Sequence, residues 1–308
     1  MNLQQLRYLN EIVRCNLNIS EAANALYTSQ PGVSKQVRLL EQELGVDIFV
    51  RNGKRIVALT DPGRNVVKIA QRVLRETENL KQVSQEFQRQ DSGTLTIATT
   101  HTQARYALPP VVKAFTARYP GVRLGLHQGS PTQIAEQVLD GSADIGIATE
   151  SLALYDELVT LPCYEWHHCV VVPPKHPLLL EKKLTLQKLA AYPIITYDFA
   201  FAGRNKINQA FSEAGITPNI ALTAIDADVI KTYVELGLGV GIVAQMAFVP
   251  ERDRHLRMLD AGHLFQPNVT RIAMRQNQYL RGFGYHFIEL FAPHLTREIV
   301  SRALHQSP

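Results

Sequence analysis

The spacing of apolar residues divides the chain into a helical first part and a longer part in which strands and helices alternate. Apolar residues recur every three or four positions in segments 3–13, 22–26 and 33–44, which predicts three amphipathic helices. From residue 94 onward, short apolar runs alternate with segments of helical spacing. Such alternation is typical of parallel sheets, so the pattern predicts an α/β fold with an all-α N-terminal part.

The second and third predicted helices are separated by a short break, as in a helix-turn-helix. We expect Ser20 to cap the second helix and the turn to fall at residues 27–28. Ser29 is placed to cap the third helix, and Pro31 fits a first turn, where no backbone N–H is needed. Gly45 is placed to end that helix.

Two short β-branched runs follow around Asn52-Gly53, a strong signal for a hairpin, and basic residues crowd its tip. A basic hairpin after a helix-turn-helix is a wing, which can enter the minor groove while the helix reads the major groove. The residues predicted to contact DNA are Thr28, Ser29, Gln30, Pro31, Ser34, Lys35 and Arg38 on the helix and Arg51, Lys54 and Arg55 on the wing. The alternative is a three-helix bundle whose solvated hairpin docks another protein.

A long helix is predicted from Asp61 to about Phe87. Val66, Val73, Leu80 and Phe87 recur every seven residues, with Ile69 and Val83 at intervening positions, which indicates a coiled-coil seam. Two such helices would hold two reading heads at a fixed spacing, as a two-fold DNA site requires. The alternative is a single helix packed on its own domain.

The remaining chain is predicted to form two α/β lobes around a cleft, as in periplasmic binding proteins. The expected boundaries are 1–60 for the winged helix-turn-helix, 61–90 for the linker helix, and 91–308 for the effector domain. Within that domain, lobe I spans about 91–161 and 268–300, and lobe II about 162–267. Two crossings between the lobes would give a hinged cleft.

Ligands of parallel sheets bind beyond the carboxyl ends of the strands, and small polar residues stand there in this sequence. Hydroxyls and helix N–H groups with few cations nearby favour a neutral cradle for a sulfate, phosphate or carboxylate. For any single threonine the alternative is a helix cap. The residues predicted to line the ligand site are Thr100, Thr102, Gln103, Gly129, Ser130 and Thr149, with Trp166, Ala202 and Gly203 from the second lobe.

The charge balance separates the two parts of the chain. The 308 residues carry a net charge of +4, and residues 1–90 hold 13 basic and 9 acidic side chains against 19 of each in residues 91–308. A positive field over the helix-turn-helix would attract a polyanion, although a charge run can also be a solvated face. The basic excess therefore agrees with a DNA-binding head on a neutral sensor.

Other function classes find little support. The sequence has no membrane span and no secretory signal, and three cysteines are too few for a disulfide framework, so a cytoplasmic location is expected. Cys163, His167, His168 and Cys169 match no usual zinc spacing, which predicts no metal site. No nucleophile, base and orienting acid stand in a recognisable arrangement, so no enzyme activity is predicted.

Five segments carry a family resemblance: LYTSQPGVSKQVRLLEQELG (26–45), ATTHTQARYALP (98–109), HQGSPTQIAE (127–136), DADVIKTYV (226–234) and FAPHLTRE (291–298). With the predicted domain order, they resemble the LysR-type transcriptional regulators, and in particular the CysB/Cbl branch that controls sulphur assimilation. The resemblance implies a homotetramer, arranged as a dimer of dimers, that binds double-stranded promoter DNA, with RNA polymerase as a further partner. It implies no cofactor but a small-molecule effector: an acetylserine, sulfate or adenosine phosphosulfate.

In that branch a sulfate-sized anion is held by residues matching Thr100, Thr102, Gln103 and Thr149. The branch often has a threonine where this chain has Ala202, and Asp198 adds a carboxylate nearby. This departure leaves the choice of effector open. The competing functions are a two-lobed small-molecule binding protein or an enzyme, neither acting on DNA.

Overall fold

The computed structural model describes residues 1–53, 55–88, 91–199 and 203–305. The chain forms two compact units, Met1–Gln88 and Arg89–Pro308. No helix in the described ranges has the length and apolar character that a bilayer crossing needs.

The first unit is a helical domain with a two-stranded hairpin. Its elements are α1 (Leu3–Arg14), α2 (Ile19–Ala25), α3 (Gln30–Leu44), β1 (Phe49–Asn52), β2 (Arg55–Leu59) and α4 (Asp61–Gln88). Leu9, Ile12, Val33 and Leu40 are fully buried where the first three helices meet. This confirms the predicted winged helix-turn-helix, with the hairpin following α3.

Capping explains where these helices begin and end. The cap of α2 is Asn18, whose Oδ1 accepts from the backbone N–H groups of Ser20 and Glu21 at 3.1 and 3.2 Å, so the prediction of Ser20 was wrong. Ser29 caps α3 by accepting from the N–H of Gly32 at 3.3 Å, as predicted. Gly45 ends α3 in the left-handed region at φ 68°, also as predicted.

One face of helix α4 is buried against its own domain, and another face exposes apolar side chains. Val67 and Ala70 are buried in the core of its own unit, and Val66 and Val73 of the predicted seam are half-buried against the same core. Ile69 and Leu80, which belong to the predicted seam, are 53% and 74% exposed. The side chain of Phe87 lies outside those that the structure describes. One face thus packs on the domain, as in the single-helix alternative, while an apolar stripe remains open.

The second unit contains two five-stranded sheets. In chain order its strands are β3 (Ser92–Thr99), β4 (Gly121–Gln128), β5 (Ile145–Ala148), β6 (Leu158–Trp166), β7 (His168–Val172), β8 (Ile194–Tyr197), β9 (Ile220–Ala224), β10 (Val240–Ala244), β11 (Arg257–Asp260) and β12 (Asn268–Arg275). Its α-helices are α5 (Leu108–Arg118), α6 (Pro131–Asp140), α7 (Leu186–Ala190), α8 (Arg204–Glu213), α9 (Ala227–Glu235), α10 (Gly282–Phe291) and α11 (Arg297–His305).

The first sheet has the order β4-β3-β5-β12-β6 and the second β11-β7-β10-β8-β9. Strands β4, β3 and β5 are parallel, as are β10, β8 and β9, which confirms the predicted α/β class. Strand β12 runs antiparallel to both β5 and β6, so the carboxyl ends of β3, β4, β5 and β6 share one edge. The chain crosses between the sheets after β6 and again before β12.

Two local features depart from the sequence pattern. Strand β6 was not predicted: Pro162 interrupts its apolar run, and β12 accommodates it by a register shift between Thr270 and Arg271. The apolar spacing predicts one amphipathic helix from about Gln103 to Arg118, but Gln103–Ala107 forms a π-helical turn and α5 begins only after it.

Candidate functional site

The third helix presents its polar residues together on one exposed face. Buried Val33 and Val37 fix the orientation of α3 against the core. On the opposite face Gln30, Lys35 and Arg38 are exposed. Of the other predicted contacts on this element, Ser29 and Pro31 are exposed and Thr28 and Ser34 are half-buried. The start of α3 is therefore a polar, basic surface of the kind that reads base edges and phosphates.

Arg51 has an intramolecular partner that the sequence pattern did not reveal. Its guanidinium forms two bonds with the Glu41 carboxylate, at 2.6 and 3.1 Å. Oε1 of Glu41 also accepts from the N–H groups of Ile48 and Phe49, at 2.9 and 3.2 Å. Because Glu41 is buried, this network anchors the wing to α3. Arg55 is exposed on the hairpin, and Lys54 lies outside the described residues.

Tyr27, predicted only as part of the turn, is a further candidate DNA contact. Its side chain is 98% exposed, and its backbone adopts a φ of 53°. A positive φ is uncommon for an aromatic residue, and here it places the ring in solvent beside the start of α3. An aromatic residue within a predicted helix-turn-helix turn is the signal that could have identified it.

The polar residues at the strand ends of the first sheet lie side by side. The adjacent strands β3, β4 and β5 are directly followed by Thr100, Gly129 and Thr149, respectively. The Gly129 N–H donates to Thr99 O at 3.1 Å, which joins the ends of β4 and β3. Thr100 and Thr149 are only 5% and 8% exposed. Ser130 caps α6 by accepting from Gln133 N–H at 3.3 Å, so its hydroxyl already serves that helix.

Thr102 and Gln103 are both buried, and Gln103 is bonded to neighbouring side chains. Nε2 of Gln103 donates to the Thr270 hydroxyl at 3.0 Å, and its Oε1 accepts from the Tyr164 hydroxyl. In the second sheet the buried Tyr197 hydroxyl accepts from the Ala244 N–H at 3.1 Å, and burial raises the pKa of Tyr197. The bonds of Gln103 fix its side chain in lobe I.

Several buried polar atoms at the same edge have no hydrogen-bond partner among the described residues. They are Thr99 Oγ1, His101 Nδ1, Trp166 Nε1 and Asn268 Oδ1. Trp166 ends β6 and pairs with Asn268, the first residue of β12, so both stand at the lobe crossings. An unsatisfied buried group costs about 1–3 kcal/mol, so a cluster of them favours a ligand that supplies partners.

Gly203 approaches this cluster from the second lobe. It precedes α8 with φ 70°, and a Cβ at this position would overlap the Asn268 carboxamide. Only glycine fits such a close approach in the left-handed region. The adjacent Ala202 lies outside the described residues.

A charged network joins the two lobes next to the strand-end cluster. The Tyr106 hydroxyl donates to Asp228 Oδ1 at 2.7 Å, and Lys231 Nζ donates to the Tyr106 oxygen at 3.1 Å. Lys231 Nζ also donates to both carboxylate oxygens of Asp253, at 2.9 and 3.1 Å, and to Ala247 O at 2.8 Å. Lys231 and Asp253 are both buried, and no sequence pattern predicts this pair, because its members stand on separate segments.

The network fixes the charges of its members. Burial tends to raise the pKa of Asp228, but the Tyr106 hydroxyl and the Lys231 and Arg105 cations outweigh it and hold that pKa below its usual value. Burial tends to lower the pKa of Lys231, but its bonds to Asp253 and Tyr106 outweigh it and raise that pKa. Both groups are therefore charged at neutral pH.

His101, Asp226 and Asp228 bring potential metal ligands within 4.8 Å of one another. Asp228 is already paired with Lys231 and Arg105, each at 3.3 Å, and Asp226 caps α9 by accepting from Val229 N–H at 2.9 Å. The Arg105 and Lys231 cations beside the Asp228 carboxylate would repel a metal cation at the same place. These side chains therefore fit an ion-pair network better than a metal site.

The two buried cysteines are equally unsuited to chemistry. Burial raises the pKa of Cys163 and of Cys169 to about 12, which keeps both as thiols at neutral pH. They lie in different apolar clusters, one in each lobe.

Comparison with known proteins places these features in a family. Residues 3–64 match the model of the bacterial regulatory helix-turn-helix proteins of the lysR family, and residues 88–296 match the LysR substrate binding domain. The transcriptional regulator CysB of Burkholderia cenocepacia is 58% identical over 304 residues, covering 99% of this chain and 97% of that protein. The regulator SsuR of the same organism is 56% identical over 307 residues, covering 100% of both.

Solved structures agree with this placement. The cofactor-binding domain of the Cbl transcriptional regulator is 45% identical with a TM-score of 0.68, covering 70% of this chain and 95% of that one. Full-length CbnR in complex with its target DNA shares the fold at 20% identity and a TM-score of 0.62, covering 96% of this chain and 100% of that one. Since the similar curated proteins are transcriptional regulators, the protein is a regulator and not an enzyme, and the chain belongs to the LysR family.

Proposed function

We propose that this LysR-type regulator controls sulphur-assimilation genes by binding their promoters through α3 and the wing, and that a small sulphur-status metabolite at the lobe I strand ends governs the response. The observation that carries the effector site is the buried, hydroxyl-rich edge of the sheet at Thr100 and Thr149. At the same edge the Thr99 hydroxyl and the Trp166 indole N–H have no hydrogen-bond partner among the described residues. An anionic ligand at this edge would be stabilised by hydrogen bonds from the protein and would not need a positively charged side chain. Promoter binding would place the protein in the cytoplasm.

On the DNA side, Gln30, Ser34, Lys35 and Arg38 at the start of α3 enter the major groove, where Lys35 and Arg38 contact guanine edges or phosphates. The N-terminus of α3 lies against the DNA sugar-phosphate backbone, where it is positioned by Thr28, Ser29 and Pro31. The Tyr27 side chain extends this contact with the DNA backbone. On the wing, Arg55 and Lys54 approach the minor groove. The role of Arg51 is to hold the wing against Glu41, which positions these groups.

A second copy of the chain covers the exposed stripe of α4. Ile69 and Leu80 are apolar, exposed and spaced as in a coiled-coil seam. Pairing there sets two reading heads at the separation of a two-fold site, and two such dimers form the tetramer. The assembled regulator contacts RNA polymerase at the promoter.

The effector is an acetylserine, sulfate or adenosine phosphosulfate. Each presents an anionic group that threonine hydroxyls and backbone N–H groups can bind without a cation. Gln103 retains one amide hydrogen for the ligand, since only one is donated to Thr270. The protein backbone can come close to the ligand at Gly129, Ser130 and Gly203.

Thr100→Val tests this site. The variant removes one buried hydroxyl while keeping the shape of the side chain, so the affinity for the effector should fall about 10-fold or more, as expected for a hydrogen bond to a charged group. A thermal-shift screen of sulfate, thiosulfate, acetylserines and adenosine phosphosulfate first identifies the compound, because a ligand of the folded state raises Tm by mass action. Calorimetric titration then compares the two proteins.

Thr116→Val is the matched control. The Thr116 hydroxyl is exposed and bonds to Val112 O within α5, away from the strand ends. We expect the control to titrate as the unmodified chain does and both variants to keep DNA binding. Equal titration curves for Thr100→Val and the unmodified chain would place the effector elsewhere.

A further inference from the structure

One short segment of lobe I joins the proposed effector residues to the second lobe. Thr100 and Thr102 precede the π-helical turn Gln103–Ala107, and Gln103 begins it. Arg105 and Tyr106 stand on the same turn, two and three residues later. π-Helical turns are rare and occur frequently at functional sites, because the extra residue disturbs regular packing.

The first end of the turn is fixed to lobe I. Gln103 is 2% exposed and bonds through both amide atoms, to Thr270 on β12 and Tyr164 on β6. Its carboxamide therefore follows any movement of the first sheet. A ligand that contacts Thr100, Thr102 and Gln103 would immobilise this end further.

The second end of the turn is bonded to lobe II. Tyr106 donates to Asp228 at 2.7 Å and accepts from Lys231 at 3.1 Å, both on α9. Arg105 adds an ion pair with Asp228 at 3.3 Å, but its side chain is 48% exposed, so water and salt screen that pair. The half-buried Tyr106 is thus the principal polar link from this turn to α9.

The lysine on lobe II that donates to Tyr106 is itself held in place. Lys231 is fixed by Asp253 and by the Ala247 carbonyl, so its ammonium is a rigid point on α9. Asp226 caps the same helix and fixes its first turn. Movement of one lobe relative to the other must therefore break or re-form the Tyr106 bonds instead of being absorbed by flexible side chains.

We propose that Tyr106, Asp228 and Lys231 form an interlobe latch that effector binding at the strand ends tightens. The proposal rests on the proposed effector site, because the ligand acts on the turn that carries Tyr106. The latched arrangement buries Thr100, Thr102 and Gln103, so the ligand enters when the latch opens and is retained when it closes. By reciprocity, weakening the latch lowers ligand affinity by the factor by which the ligand strengthens the latch.

Tyr106→Phe in the full-length chain tests the latch. The variant keeps the ring and removes only the hydroxyl that bridges Asp228 and Lys231. Without ligand, amide exchange in segments 103–107 and 227–235 should quicken about 3–10-fold, the range expected for one lost hydrogen bond. With sulfate or O-acetylserine as the probe, Kd should rise by a similar factor and dissociation should be faster. The fluorescence of Trp166, the single tryptophan, reports both at the lobe crossing.

Tyr119→Phe is the control, since Tyr119 packs against Phe115 and Phe283 in lobe I, away from α9. It should leave exchange in 227–235 and both Kd values unchanged. Exchange and Kd of Tyr106→Phe equal to those of the unmodified chain would overturn the latch, and so would a lower Kd, which would mean that the contact opposes the ligand.

The experiments can disprove the proposed latch and the proposed effector site independently of each other. If Thr100→Val titrates normally, the effector site is wrong, whereas the ligand-free exchange of Tyr106→Phe still decides whether the lobes are held there. If neither probe binds the unmodified chain, the choice of effector is wrong, and the same exchange comparison decides the latch.

Discussion

Promoter affinity should fall about 100-fold or more when Lys35 and Arg38 are both replaced by alanine. Both side chains are exposed on the first turns of α3, whose buried residues Val33 and Val37 fix that face outward. Each loses a contact to a base edge or phosphate, and neither contributes to the core. The slope of log affinity against log salt should also decrease by about 2, because two fewer counterions are released. Fluorescence anisotropy with a labelled promoter fragment measures both quantities.

The control for that prediction is a substitution on the wing. Arg51→Met breaks the pair with buried Glu41, so we expect a loss of about 1–3 kcal/mol in the stability of the hairpin, seen as faster amide exchange in residues 48–59. DNA affinity should fall less than in the double variant. A double variant that binds promoter DNA normally, with an unchanged salt slope, would show that α3 is not the reading helix.

Lys231→Met should destabilise the second unit by about 3–5 kcal/mol. Methionine fills the space but leaves the Asp253 carboxylate, 7% exposed, without its cation. The Val249 N–H, which donates to Asp253 at 2.7 Å, compensates only in part. Denaturant unfolding of the full chain, followed by Trp166 fluorescence, reports this unit because the first unit contains no tryptophan.

Two comparisons separate charge from packing. Lys182→Met changes an exposed lysine and should alter stability by no more than about 0.5 kcal/mol. Adding Asp253→Asn to Lys231→Met should recover much of the loss, because no buried charge then remains. If Lys231→Met is as stable as the unmodified chain, Asp253 is not held as a buried carboxylate.

Local signals in the sequence were sufficient for the DNA-binding head. Ser29 and Gly45 act through their own backbone neighbourhood, and so does the Asn52-Gly53 turn, which is why each was predictable. The misplaced cap of α2 also has a local reason: Asn18 and Ser20 are both good caps, and the structure begins the helix at the first of them.

Contacts between distant segments could not be read from the sequence. Glu41 and Arg51 stand on different elements, and Tyr106 and Asp228 are 122 residues apart, so no periodic pattern links either pair. From sequence alone, Asp228 is only an acid in the first turn of a helix, where it complements the helix dipole. The strand ends were predictable because parallel strands place their carboxyl ends at one edge. Whether each polar side chain there is free depends on distant partners, as Thr270 and Tyr164 are for Gln103.

The central claim is that one chain couples promoter recognition to a sulphur metabolite. Its most direct test is an anisotropy titration of the full-length protein with a sulphur-assimilation promoter fragment and a scrambled fragment, with and without the compound identified by thermal shift. We predict at least about 1,000-fold preference for the promoter. Its affinity should fall steeply with salt and change at least about 5-fold with the compound. Equal affinity for both fragments, unaffected by the compound, would contradict the account.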